Sequence, residues 1–153
     1  MKTFYIILIF LNLIFAGFKP YTITGIVTEI VNGNSFKIVI NNVEIVVKLY
    51  GIYAPEKFQF YGIDSKSELQ NWILDKTVTV DVSGKDQYGR LVGTVYCDYA
   101  NINWIMVSTG SAWWYKAYAP NDTVLKRLQF EAKEAKRGLW QFPNPIAPWN
   151  FKN

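Results

Sequence analysis

The sequence predicts an α+β fold, mainly β with α, in which five strands form a barrel and three helices support it. Five short segments rich in β-branched residues are separated by turn signals, and three other segments repeat apolar residues at helical spacing. The chain has 153 residues, of which 50% are hydrophobic and 17% aromatic. That length and composition indicate one folded domain with a full core and exclude a disordered chain.

The five predicted strands are rich in Thr, Ile and Val and are bounded by turns. Asn32-Gly33 is a hairpin signal after the first strand, and Asn41-Asn42 separates the second strand from the third. The strand that begins at Thr77 alternates polar and apolar residues with period two. The predicted strands cover residues 21–31, 36–40, 43–50, 77–82 and 91–96.

The first predicted helix covers residues 63–74 and lies between the third and fourth strands. Asp64 or Ser65 is expected to be its N-cap, because a short polar side chain there accepts a hydrogen bond from the first turn. Its apolar side is predicted to consist of Ile63, Leu69, Trp72 and Ile73.

Two further helices follow the last strand. Asn101 is expected to cap a short helix that stops near Gly110. Asn121 or Asp122 is expected to cap the last helix, and Gly138 to end it. This order of strands and helices predicts an OB-type barrel with helical support.

The first 17 residues are predicted to be a signal peptide or an N-terminal anchor. Lys2 precedes an apolar run over residues 4–16, which is short for a bilayer span and typical of a signal-peptide core. Cleavage after Ala16 would place Ile14, which is not a small residue, at the −3 position. The protein is therefore expected to be secreted or periplasmic, with membrane anchoring by residues 4–16 as the alternative.

The residue composition limits which kinds of active site the chain can form. Cys97 is the only cysteine in the sequence and is predicted to be a buried strand residue, and the chain has no histidine. The commonest general base and the commonest zinc ligand are thus missing. The net charge of +4 suits nucleic acid or another polyanion as partner. No stable protein partner is predicted, and a monomer is expected.

Three motifs in order resemble the staphylococcal nuclease (thermonuclease) family, whose pattern reads roughly D-G-D-T, R-L-x-G-I-D-x-P-E and D-x-Y-G-R. The matching segments are N-G-N-S at 32–35, K-L-Y-G-I-Y-A-P-E at 48–56 and D-Q-Y-G-R at 86–90. G-S-A-W at 110–113, G-L-W at 138–140 and P-W at 148–149 look like the family's tail. The resemblance covers about residues 21–149 and leaves residues 150–153 as a tail.

The resemblance implies an ancestral reaction, the metal-assisted hydrolysis of DNA or RNA phosphodiesters. The family uses a calcium ion and two arginines to stabilise charge on the phosphoryl oxygens, and a glutamate to orient or deprotonate water. Glu56 matches that glutamate, and Arg90 matches the second arginine. Lys48 stands for the first arginine, which keeps the charge but loses the two-pronged grip of a guanidinium. These three residues are the catalytic candidates.

Both carboxylates that the resemblance assigns to calcium are replaced, one by Asn34 and the other by Tyr53. An amide oxygen ligates without charge, and a phenol is neutral at pH 7 and a poor calcium ligand. Calcium binding is therefore predicted to be weak or absent. No cofactor is expected, with Ca²⁺ as the cofactor only if the family site survives. The preferred hypothesis is an exported protein with impaired catalysis that binds nucleic acid or another polyanion.

Tyr88 and Tyr118 match family tyrosines near the nucleotide and are the candidates for base stacking, with Lys116 adding charge beside them. Trp113 and Trp114 are predicted instead to form a hydrophobic cap over the barrel. The basic residues of the last helix are predicted to lie on a solvated face, namely Lys126, Arg127, Lys133, Lys136 and Arg137.

Two alternatives stay open. The first is an active nuclease whose metal ligands have moved to Asp64, Asp86 or Glu44. The second is a protein-interaction module in which the basic site is unused. Plainer roles are also open for single residues, since Lys48 suits a solvated strand position and Asn34 suits a turn.

Overall fold

A computed structural model describes residues 20–152, and the predicted signal segment lies outside them. These residues form a mainly β domain with three α-helices and two short 3₁₀ turns. The strands are β1 (Tyr21–Asn32), β2 (Ser35–Ile40), β3 (Val43–Leu49), β4 (Ile52–Tyr53), β5 (Thr77–Lys85), β6 (Leu91–Cys97), β7 (Ala100–Asn101) and β8 (Trp113–Trp114). The helices are α1 (Gly62–Ile73), α2 (Ile102–Ser108) and α3 (Thr123–Glu134), and the 3₁₀ turns are Gly138–Gln141 and Pro148–Asn150.

Five of these strands close into a barrel, as the sequence predicts. The sheet order is β3-β2-β1-β5-β6-β7, and β3 also pairs with β6. The closing pairing is parallel and sets Lys48 opposite Val92 and Leu49 opposite Gly93. Because Val92 is two residues from Arg90, barrel closure places Lys48 next to the β5–β6 hairpin.

Three two-residue strands were not predicted, because two residues show no periodicity. β7 extends the barrel sheet, and β4 pairs with β8 in a separate small sheet. That pairing sets Ile52 opposite Trp114 and Tyr53 opposite Trp113. It therefore fixes Tyr53 against the tryptophan pair.

The predicted cap and apolar face of α1 are partly wrong. The helix begins at Gly62, and Tyr61 precedes it with a φ of 67° and no side-chain cap hydrogen bond. Ser65 is buried, and its hydroxyl donates to the Ser111 carbonyl at 2.6 Å. Ile63, predicted to be buried, is 72% exposed. Leu69 and Ile73 do lie in the core, whereas Trp72 is exposed.

The caps of α2 and α3 are confirmed. The Asn101 side chain accepts from the Trp104 amide, and the Asp122 side chain accepts from the Leu125 amide. The predicted end of the last helix is wrong, since α3 stops at Glu134, before Gly138. Gly138 instead adopts a φ of 53° and lies so close to the Gly110 carbonyl that no Cβ fits.

The core fills the barrel with aliphatic side chains and one large aromatic ring, and Cys97 is buried at the end of β6 as predicted. The largest fully buried side chains include Phe36, Ile38, Leu49, Leu69 and Met106. Within residues 20–152, no helix is long and apolar enough to cross a membrane. Burial of this core against strands from both halves of the chain holds the β3 and β6 ends in register.

Candidate functional site

Lys48 and Arg90 lie side by side at the β3–β6 junction and form what we call the phosphate wall. Burial lowers the pKa of Lys48 below its usual 10.5, and the Arg90 guanidinium lowers that pKa further. Asp86 and Glu56 act in the opposite direction on the same pKa. The structure therefore brings together all three catalytic candidates around one half-buried ammonium group.

Asp86 builds the turn that presents Arg90. Its Oδ2 accepts from Arg90 Nε at 2.6 Å, and its Oδ1 accepts from the backbone amides of Tyr88 and Arg90. Burial raises the pKa of the Asp86 carboxyl, but the hydrogen bonds from Arg90 and Tyr88 outweigh it and hold that pKa below 3.8. The ion pair uses Nε, which leaves the two terminal guanidinium nitrogens for another ligand.

Tyr88, predicted to contact nucleic acid, sits on the outside of this turn. Its side chain is 75% exposed, and the Arg90 Cζ atom lies 5.4 Å from the ring centroid. Gly89 between them has a φ of 79°, which a side chain would strain. The turn thus presents an open aromatic ring and a cation together.

Tyr53 lies between Lys48 and Glu56. The Lys48 Nζ atom is 4.7 Å from the Tyr53 ring centroid, a cation–π contact. Burial raises the pKa of the Tyr53 phenol above 10.0, and the neighbouring Glu56 carboxylate raises it further. At neutral pH the phenol is therefore protonated and uncharged.

Asn34 is buried and acts as a structural link. Its backbone amide donates to the Asn32 side chain at 3.0 Å, and its Nδ2 donates to the Ile52 carbonyl at 3.4 Å. The Asn34 carbonyl in turn accepts from the Leu49 amide at 2.9 Å. These bonds join the β1–β2 turn to β3 and β4, which is the turn role that the sequence left open.

Glu56 is held by a residue that sequence reasoning missed. The Glu56 amide donates to Gln59 Oε1 at 3.0 Å, and Gln59 Nε2 donates to the Ile146 carbonyl. Gln59 is buried, and it joins the Glu56 turn to the C-terminal segment over residues 142–151. No local signal marks Gln59, because its second partner is 87 residues away.

The remaining candidates lie on the segment after β8. Tyr118 is 55% exposed, and its ring packs edge-on against Tyr115 at 4.8 Å. Tyr115 contacts Tyr53 at 5.4 Å, which connects Tyr118 to the phosphate wall through two rings. Lys116 is exposed on the same segment.

The two tryptophans pack inward, as the predicted hydrophobic cap requires. Trp114 packs against the core, and its indole donates to the Ala119 carbonyl at 2.9 Å. Trp113 packs against Trp140 at 4.4 Å. Lys133 is exposed on α3 as predicted, and its ammonium also lies over the rings of Trp113 and Trp140.

Comparison with known proteins decides the family. The protein-family model described as "Staphylococcal nuclease homologue" matches residues 46–142, which include Lys48, Glu56 and Arg90. The chain belongs to this family. An "Uncharacterized endonuclease" of Escherichia coli O157:H7 is 39% identical over 132 residues, 86% of each chain. The "Micrococcal nuclease" of Shigella flexneri is 33% identical over 138 residues, 84% of this chain and 79% of its own.

The residues at the expected calcium positions do not fit the ion. The Asn34 amide nitrogen faces the Ile52 carbonyl, and Tyr53 is neutral with the Lys48 ammonium against its ring. Calcium takes several oxygen ligands, most usefully carboxylates, and a neighbouring ammonium repels it. Among residues 20–152, no three His, Cys, Asp or Glu side chains lie close enough together to hold a metal ion.

Two of the three carboxylates considered as relocated ligands have other partners. Glu44 pairs with the Lys37 ammonium at 3.1 Å, and Asp86 pairs with Arg90. Asp64 lies in the first turn of α1, near Tyr61, whose pKa is raised first by burial and then by the Asp64 charge. Of the three, Asp86 is the one whose charge acts on Lys48.

Proposed function

We propose that the protein binds nucleic acid through the phosphate wall and that efficient calcium-dependent hydrolysis is impaired. The observation that carries this proposal is the contact of the Lys48 ammonium with the Tyr53 ring at 4.7 Å. It places a fixed cation beside a position where the family has a metal carboxylate. The site thus keeps positive charge for a phosphate without ligands for the metal.

Binding follows from the charges. Lys48 presents an ammonium from β3 and Arg90 presents a guanidinium from the turn just before β6, and phosphate oxygens can accept from both. Partial burial strengthens these contacts relative to fully solvated ones, because water screens them less. Asp86 fixes the direction of Arg90 through Nε, so the wall is organised before the ligand arrives.

Impaired hydrolysis follows from the neighbours of Glu56. A phosphoryl-transfer site needs cations where negative charge develops, and the wall supplies two without a metal. The neutral Tyr53 phenol stands beside the Glu56 carboxylate, where the resemblance to the family places a metal carboxylate. Without a metal at that position, less charge stabilisation is present in the transition state.

Phosphodiester hydrolysis is the second candidate function. Relatives at 39% and 33% identity carry the names endonuclease and micrococcal nuclease, which favours a retained nuclease activity. In that case a ligand or base other than Asn34 and Tyr53 completes the site. Asp86 is the candidate ligand whose charge acts on the pKa of Lys48, which it raises.

Export is also part of the proposal. The predicted signal segment, residues 1–17, precedes the described domain, and the apolar run over residues 4–16 is its core. An exported protein of this kind would meet extracellular or periplasmic nucleic acid. Mass measurement of the protein from its natural compartment would show whether the segment is removed.

Fluorescence anisotropy with a labelled single-stranded oligonucleotide tests the binding proposal. We expect binding at low salt with little sequence preference. The plot of log affinity against log salt should have a negative slope, which becomes shallower by about 0.7 for each phosphate contact removed. Lys48→Ala and Arg90→Ala should each weaken binding and make this salt dependence shallower. Lys37→Ala is the matched control, because Lys37 is already paired with Glu29 and Glu44.

No binding at low salt, or mutants of the wall that bind like the parent, would overturn the binding proposal. The protein-interaction alternative would then gain. A parent that binds and also cuts the oligonucleotide would favour the second candidate.

A further inference from the structure

The C-terminal segment carries Trp149 to the edge of the phosphate wall. The Trp149 ring lies 6.3 Å from the Tyr53 ring and 5.1 Å from the Tyr115 ring, centroid to centroid. Tyr53 is the residue whose ring contacts the Lys48 ammonium. A single ring therefore separates Trp149 from a cation of the wall.

Trp149 completes a continuous set of rings that we call the aromatic row, formed by Tyr118, Tyr115, Trp149 and Trp113. Successive centroids along it are 4.8, 5.1 and 5.7 Å apart. Trp149 is 45% exposed and Tyr118 is 55% exposed, so both present ring surface to solvent. The row ends at Trp113, whose ring packs against Trp140 and lies under the Lys133 ammonium.

The segment that carries Trp149 is anchored rather than loosely attached. Gln59 Nε2 donates to the Ile146 carbonyl, and the same side chain accepts from the Glu56 amide. Phe142, near the start of the segment, packs against Phe60 with centroids 4.2 Å apart. Trp149 is thus held in place from the turn that also positions Glu56.

We propose that Trp149 is a base-stacking platform that extends the nucleic-acid path of the phosphate wall and selects single-stranded over paired nucleic acid. The inference rests on the proposed function. A strand whose phosphate contacts Lys48 and Arg90 can turn a neighbouring base toward the half-exposed Trp149 ring. A half-exposed aromatic beside a basic groove is the arrangement that holds unpaired bases without reading their sequence. Bases inside a duplex present no free face to such a ring.

The test compares the full-length parent, Trp149→Ala, Trp149→Phe and Trp104→Ala. The ligands are an oligothymidylate of about eight nucleotides, within the range that one such barrel covers, and an abasic oligomer of equal length. Trp104 on α2 is the matched control, because it is exposed to the same degree, 44%, and lies outside the aromatic row. Thermal melts of all four proteins check that each is folded.

We expect Trp149→Ala to weaken oligothymidylate binding on the order of tenfold and to leave abasic-oligomer binding unchanged. The salt slope should be the same as in the parent, because no phosphate contact is lost. Trp149→Phe should restore most of the affinity, and Trp104→Ala should match the parent. A duplex of the same length should show no difference between parent and Trp149→Ala.

Three results would overturn the inference. A folded Trp149→Ala protein that binds oligothymidylate like the parent would show that the ring only packs. Equal weakening for base-bearing and abasic oligomers would show that it acts through the segment and not through bases. A parent that binds no single strand at all would overturn the proposed function as well. The first two results, in contrast, would overturn only the role of Trp149.

Discussion

The ammonium of Lys48 lies 4.7 Å from the centroid of the Tyr53 ring. By the resemblance to the family, these positions would hold an arginine and a carboxylate that faces a metal. Here a cation contacts a neutral phenol whose pKa is raised by burial and by Glu56. One contact therefore accounts for both halves of the proposal, the retained phosphate wall and the lost calcium ligand.

Calcium is expected not to stabilise the protein. A site with a dissociation constant a hundredfold below the calcium concentration would add about 2.7 kcal/mol to the free energy of unfolding, which shifts the melting temperature by several degrees. Thermal melts in millimolar-range calcium and in chelator should coincide. A calcium-dependent rise in melting temperature that Glu56→Gln abolishes would contradict this expectation.

Nucleic-acid affinity is expected to fall as pH rises through the alkaline range. Burial and then the Arg90 guanidinium lower the pKa of Lys48 below 10.5, so its ammonium loses its proton at a lower pH than a free lysine. Binding needs the charged form, so affinity is retained below the folded-state pKa and lost above it. Titration of the dissociation constant against pH measures this fall.

Lys48→Arg is the control for that titration, because a guanidinium stays charged throughout. The variant should bind at least as tightly at neutral pH and should not lose affinity at alkaline pH. A parent whose affinity does not change with pH, or a variant that shows the same fall, would show that Lys48 is not the titrating contact.

Gln59→Ala is expected to lower the free energy of unfolding by about 1–3 kcal/mol, because it leaves the Glu56 amide and the Ile146 carbonyl without their partner. Denaturant titration measures the change. Gln70→Ala is the matched control, since Gln70 is exposed on α1. Equal stability of the two variants would show that the Gln59 link does not hold the segment.

Restoring the family's residues is expected to restore activity. Asn34→Asp and Tyr53→Asp supply two carboxylates, and Lys48→Arg supplies the two-pronged phosphate grip. The triple variant should cut DNA in calcium on the order of a hundredfold faster than the parent. The two carboxylates alone should help less, because metal and guanidinium act on the same developing charge.

Stability has to be measured alongside that activity. Tyr53 contacts Tyr115 and Trp149, so replacing it leaves a void at the edge of the site. A folded triple variant that binds calcium and cuts nothing would mean that the loss extends past the three residues named.

The five barrel strands and the caps of α2 and α3 could be predicted because their signals are local. Asn32-Gly33 marks the first hairpin, and Asn101 and Asp122 each accept the hydrogen bond expected of an N-cap. The buried face of α1 could not be predicted fully. Ile63 looks apolar in sequence but sits in the first turn, where the helix faces solvent, while Ser65 turns inward to the Ser111 carbonyl.

Lys48, Glu56 and Arg90 could be named as candidates from motifs in the sequence. Barrel closure between β3 and β6 then places Lys48 beside the hairpin that carries Arg90. The contacts of Gln59 and Trp149 could not be predicted, because they join segments that are far apart in sequence. A buried glutamine without a motif around it carries no signal of its partner.

The decisive experiment measures cleavage of labelled single-stranded DNA and RNA by the purified protein, in calcium and in chelator, with binding measured in parallel. We expect the same binding in both conditions and no cleavage in calcium above the level of Glu56→Gln. Calcium-dependent cleavage by the parent that is lost in Glu56→Gln would contradict it, and would mean that ligands other than Asn34 and Tyr53 hold the metal.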